Sequence, residues 1–157
     1  MGLFDKIFSP TAKQQANTKS YTSLNDYEAW VGVLYACAAS DGDVSDVEID
    51  MLSRLLIFKQ KFENIEIIPF YKIAMQISNE LGNQKLIEGC AAVIKEEDKA
   101  TVFAMATEIV LADGIINERE KNLLEFVSRT LQIDDELAAK IVEVLLIKNR
   151  GNKIITS

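Results

Sequence analysis

Apolar positions recur at spacings of three and four along most of the chain. From Asn25 onward, Tyr27, Trp30, Val31, Leu34, Tyr35 and Ala38 fall on one side of a helix, the rhythm of a helix that buries one face. Gly42 ends that helix, where left-handed backbone is wanted. Ser45 opens the next. Glu48, three positions later, completes a capping box, and Val44 with Ile49 can form the apolar staple. Val47, Met51, Leu52, Leu55 and Leu56 give this second helix its inner face. The rhythm breaks around Asn64 to Pro69. Pro69 suits the first turn of a helix running to about Leu81, with Gly82 as its stop. A further helix is expected over residues 84–95. Another is expected over about 97–113, carried by Val102, Met105, Ala106, Ile109 and Val110. Gly114 ends it, and Asn117 with Glu120 opens the next as an Asn version of the capping box. Lys121 stands where the staple's apolar residue would be. Asp134 caps a last helix through Leu146, and a frayed tail begins at Arg150-Gly151. No segment alternates with period two over a useful length. Residues 65–70 are the one strand-like patch, and Pro69 weakens it. The pattern therefore predicts an all-α fold: a compact bundle of about seven helices with two pseudo-repeated helix–turn–helix halves. Residues 1–23 form an amphipathic segment and linker, 24–147 the helical domain, and 148–157 a tail.

The halves are related by a shift of 72 residues. Ala39-Ser40-Asp41-Gly42-Asp43-Val44-Ser45-Asp46-Val47-Glu48 is echoed by Leu111-Ala112-Asp113-Gly114-Ile115-Ile116-Asn117-Glu118-Arg119-Glu120. Each copy is an acidic elbow between two helices. Asp46, Glu48, Glu118 and Glu120 fall in first helical turns, where the helix dipole favours anions. Capping accounts for Glu48 and Glu120. Asp41 and Asp113 are different, because each lies at a helix C-terminus, where free carbonyls disfavour a carboxylate by roughly 0.3–1 kcal/mol. Two compensations are open. In one, the carboxylate accepts from amides opening the following helix. The other is a bound divalent cation shared by the carboxylate, nearby carbonyls and acids of the next helix. The first elbow gathers Asp41, Asp43, Asp46, Glu48 and Asp50, the second Asp113, Glu118 and Glu120 with Asn117 as a neutral oxygen donor. These are hard oxygen donors, suited to Ca²⁺ or Mg²⁺. At the second elbow the amide is the favoured partner. Asp41, Asp43 and Ser45 mimic the opening of an EF-hand loop. However, Asp46 replaces the required Gly and Leu52 the closing Glu, so any affinity should be modest.

Composition narrows the chemistry. The 157-residue chain is about one domain long. Its net charge of −7 disfavours nucleic acid and suits cations or basic protein partners. There is no histidine, which removes the usual general base and the commonest metal ligand. Cys37 and Cys90 stand alone within apolar runs, so they are expected to be small buried thiols, not a zinc or iron–sulfur set. Trp30 and Tyr35 are expected in the core. Glu96-Glu97-Asp98 and Asp134-Asp135-Glu136 read as helix starts. No apolar run reaches the ~20 residues of a membrane span, and no signal peptide is evident, so a cytoplasmic protein is expected, peripheral to the inner face of the membrane at most. Leu3, Phe4, Ile7 and Phe8 share one side of a short helix that Pro10 stops. That segment can pack on its own bundle, touch a membrane surface or enter a partner's groove. Lys6 occupies the position where myristoylation expects Ser or Thr.

The elbows in this helical setting resemble the tellurite-resistance TerB family and its relatives, among them the N-terminal domain of DjlA-type co-chaperones. The likeness is carried by residues 38–45 with Glu48 and residues 111–117 with Glu120, and covers roughly residues 24–147. The resemblance implies a seven-helix bundle with acidic clusters and divalent-metal binding. It also implies a non-enzymatic part in tellurite resistance or broader stress responses, as an interaction module near the membrane. Carried over by position, the candidate ligands are Asp41, Asp43 and Glu48, then Asp113 and Glu120. Ile115 stands opposite Asp43 in the repeat, leaving the second elbow one carboxylate short.

Overall fold

The computed structural model describes residues 19–42 and 44–153, without the side chain of Asp41. The segment 1–9 and the polar stretch up to residue 18 lie outside the described residues, as does Asp43. Seven α-helices and no strand are found among the described residues: α1 (Asp26–Ala38), α2 (Asp46–Ile57), α3 (Ile68–Leu81), α4 (Asn83–Ala91), α5 (Lys99–Val110), α6 (Glu118–Thr130) and α7 (Asp135–Asn149). Short 3₁₀ turns stand at Ala39–Asp41, Gln60–Phe62 and Glu96–Asp98.

The expected punctuation is found. Asn25, Ser45, Asn117 and Asp134 each cap a helix with a side-chain oxygen, and both capping boxes are complete. Pro69 lies in the first turn of α3 and Gly82 ends it at φ 90°. Three boundaries differ from expectation. Helix α4 stops at Ala91, where the Cys90 carbonyl accepts from Val93 and Ile94 in a tightening turn. The acidic run Glu96–Asp98 forms a 3₁₀ turn ahead of α5 and is not its first turn. Helix α7 continues to Asn149, which is buried.

Two helices form the axis of the bundle, and they are the corresponding helices of the two halves. Helix α1 packs against α2, α3, α4 and α5, and α5 packs against α1, α2, α6 and α7. Their sequences explain this: both are apolar nearly all round, with residues 29–38 entirely buried and Val102, Phe103, Ala106 and Thr107 buried on α5. A helix without a polar face belongs inside. Trp30 and Tyr35 are in the core as expected. Trp30 lies 5.8 Å from the Phe62 ring, and Tyr35 meets Tyr71 edge-on at 5.2 Å. Cys37 and Cys90 are free, buried thiols, each pushed up to about 12 by burial. Immediately before α1, residues 21–24 are pinned. Ser23 donates its amide to Gly89 of α4, and the buried Glu28 carboxylate accepts from the Tyr21 hydroxyl at 2.5 Å and the Leu24 amide at 2.9 Å.

Candidate functional site

Both elbows are built on one backbone plan. A helix ends, one tight turn follows, and a glycine amide closes it: Gly42 donates to Ala39 at 3.0 Å, and Gly114 to Leu111 at 2.9 Å. Each glycine has positive φ, 116° and 78°, a region where a Cβ is crowded. The N-cap residue that opens the next helix, Ser45 or Asn117, is extended in each. At the first elbow the Ser45 hydroxyl accepts from the Glu48 amide at 3.2 Å. Glu48 in return accepts from the Ser45 amide and hydroxyl, at 3.3 and 3.0 Å. At the second, Asn117 Oδ1 accepts from the Glu120 amide at 2.8 Å, and Glu120 accepts from the Asn117 amide at 3.0 Å. So Glu48, Asn117 and Glu120 all serve as reciprocal caps.

Asp113 has an amide partner, but not one of the expected amides opening the following helix. Its Oδ1 accepts from the Ile115 amide at 3.0 Å, within the turn and not at the opening of α6. That bond satisfies a carboxylate otherwise ill-placed beside helix-terminal carbonyls. The carbonyls themselves are also engaged. Asn149 donates from Nδ2 to the Leu111 carbonyl at 3.0 Å and to Glu108 at 2.9 Å, and Asn152 donates to the Ala112 carbonyl at 3.0 Å. Lys148 joins Glu108 at 2.7 Å and Asn149 at 3.1 Å. Burial by itself would raise the Glu108 carboxyl. The hydrogen bonds from Lys148 and Asn149, with the charge of Lys148, reverse this and hold it below its ordinary value.

Sequence reading missed this arrangement: residues beyond Leu146 looked like a tail, yet they form a lid of amide donors over the second elbow. The one available signal was an Asn closing a strongly apolar helix, at the point where an adjacent helix end needs donors.

At the second elbow Asp113, Asn117 and Glu120 each have one oxygen accepting a backbone amide, and Ile115 stands where the first elbow has Asp43. Across the described residues, no group of three or more Cys, Asp and Glu side chains converges as a metal set. The first elbow differs. A Cβ built on Gly42 would meet nothing within 4 Å, whereas one on Gly114 would strike the Asn149 backbone at 2.5 Å. The first elbow therefore opens to solvent. Its negative field reaches Tyr71 on α3, whose phenol is held above its ordinary range by burial and then by the charges of Asp46 and Glu48. Of the six candidate ligands, Glu48, Asp113, Asn117 and Glu120 are placed by hydrogen bonds in caps or turns. The Asp41 side chain and Asp43 lie outside the described residues.

Two elbow-linked helix pairs, packed through their first members, define an all-α bundle with acidic interhelical bends. The family model for tellurite resistance protein TerB matches residues 27–142, more than half the chain, and the chain belongs to that family. Neither a curated protein nor a solved structure matches it. No helix among the described residues is long and apolar enough to cross a membrane.

Proposed function

We propose that this chain is a non-enzymatic, tellurite-resistance-related stress-response module that acts through protein contacts and holds a divalent cation weakly at its first elbow only. The observation behind this reading is the asymmetry of the elbows. The second is closed by Asn149, Asn152 and the Ile115 amide; the first is open at Gly42 and adds Asp43 to Asp41. Open, acidic and oxygen-rich, the first elbow suits Ca²⁺ or Mg²⁺ held with several waters. A catalytic role has little support. The chain lacks histidine, and the well-placed carboxylates are occupied as caps.

Titration of the full chain with Ca²⁺ or Mg²⁺, followed by ¹H–¹⁵N NMR, tests this. Amide shifts confined to residues 39–48, abolished by Asp41→Asn, are expected. A bound cation would also relieve the negative field at Tyr71 and lower its titration midpoint. No shift at millimolar metal would sink the cation. The chain would then be a metal-free helical adaptor whose acidic face recruits a basic protein or a chaperone partner, a membrane-associated one included. The capping boxes favour that reading, because they satisfy Glu48 and Glu120 without metal. A partner retained with chelator present throughout is the outcome that second reading requires.

A further inference from the structure

Helices α6 and α7 both pack on α5 but have little contact with each other. Between them runs a groove of about 620 Å³, lined on its apolar side by Phe103, Leu124, Ala138, Ala139, Val142 and Leu146. Helix α7 has more apolar side chains than the bundle covers: Ile147, which lines the groove, is 69% exposed, and Leu137 and Val144, outside its lining, are 43 and 60% exposed. An uncovered apolar stretch of this kind marks a surface that takes a partner.

The chain carries its own candidate occupant. Leu3, Phe4, Ile7 and Phe8 line one side of a nine-residue segment that ends before Pro10. Helices shorter than about 12–15 residues are marginal alone in water, so this one needs a surface to form on. Its tether points to which surface. Tyr21 and Ser23 are fixed on α4, where a Cβ on Gly89 would lie 2.1 Å from the Tyr21 carbonyl oxygen, and α4 packs against α6. Residues 10–18 reach up to roughly 30 Å when extended, and crossing one packed helix takes about 10 Å. Charge does not oppose it. Asp5 balances Lys6 within the segment, and on the rim Arg129 pairs with Glu125 and Lys121 with Glu118.

We propose that residues 1–9 dock as a short helix in the groove between α6 and α7. The docked segment is an internal occupant that any partner seeking α7 must displace.

Hydrogen exchange and ¹H–¹³C nuclear Overhauser contacts, measured by NMR on the full chain, test this. Expected are contacts from the Phe4 and Phe8 rings to the methyls of Ala139 and Val142, and exchange of the amides of residues 3–8 slowed at least about tenfold. Both should disappear in Phe4→Asp/Phe8→Asp and in Ala139→Arg, which blocks the groove from the other side at a solvent-facing position. Exchange of residues 3–8 at free-peptide rates in the unaltered chain overturns the proposal. So does protection that survives Ala139→Arg. Two further results overturn it: protection that appears only with anionic phospholipid vesicles, and protection that rises with protein concentration alongside a dimer in sedimentation. Metal titration of the first elbow does not bear on these outcomes.

Discussion

A Cβ added at Gly42 would point into open space, while one added at Gly114 would lie 2.5 Å from the carbonyl oxygen of Asn149 and 2.8 Å from the Arg150 Cα. Otherwise the two elbows are near copies: glycine-closed turns, extended entries and reciprocal caps. The difference lies in what has grown over them. At the second, the C-terminal end of α7 folds over the bend and supplies side-chain amides to the carbonyls of Leu111 and Ala112. No described residue of the first half takes that role over Gly42. One copy of the repeat is a packed joint, and the other is uncovered at its glycine and carries an acid at residue 43 in place of Ile115.

The glycines give the largest expected effect. Gly114→Ala meets both positive φ and backbone overlap, and should destabilise by roughly 3 kcal/mol or more. Gly42→Ala meets only the conformational strain, roughly 1–2 kcal/mol. Urea denaturation of the two variants measures this. Equal losses would mean that the lid over the second elbow contributes nothing to the joint.

Asn149→Ala comes next. It leaves the Leu111 carbonyl without its buried donor and strips a partner from Glu108, for a loss of roughly 2–3 kcal/mol. Asn152→Ala, which removes a bond in an exposed setting, should stay within about 0.5 kcal/mol. The caps, by contrast, should make the elbows look alike. Ser45→Ala and Asn117→Ala are each expected to lose about 1 kcal/mol, read from the same denaturation curves. A clear inequality would show that the boxes also differ in strength.

Local signals along the chain made the frame legible. Ser45 with Glu48 and Asn117 with Glu120 announce their boxes by spacing, and Pro69 and Gly82 bracket α3; α1, expected to bury one face, is instead buried on all sides over residues 29–38. The Asp113 bond was half legible. A carboxylate at a helix end demands a donor, but nothing in the spacing says that the Ile115 amide supplies it. Asn149 was legible only as an Asn closing an apolar helix, not as a donor to the second elbow. Its value depends on α7 crossing back to residues nearly forty positions earlier, a long-range contact that leaves no periodic trace. The groove between α6 and α7 was hidden for a similar reason. Only the separate packing of the two helices on α5 shows that they fail to cover one another.

The smallest effect concerns acid, and it separates the joint from the open bend by a different route. Glu108 anchors the lid through Lys148 and Asn149, and its carboxyl titrates below the ordinary value of 4.5. The sign follows from linkage. A lowered folded value means that the unfolded chain takes the proton first, so the contribution is complete above 4.5 and is lost as pH falls through the folded value. Because the Lys148 end of the pair is largely exposed, the loss should be under about 1 kcal/mol. The test compares urea midpoints above and below pH 4.5 for the unaltered chain and Glu108→Gln. The difference between the two proteins should shrink in acid, with amide protection falling first at residues 111–114 and 149–152. A difference that stays constant across that range would show that Glu108 holds the lid by shape alone. Protection lost first around residues 39–42 would place the acid-sensitive bend in the other half of the molecule.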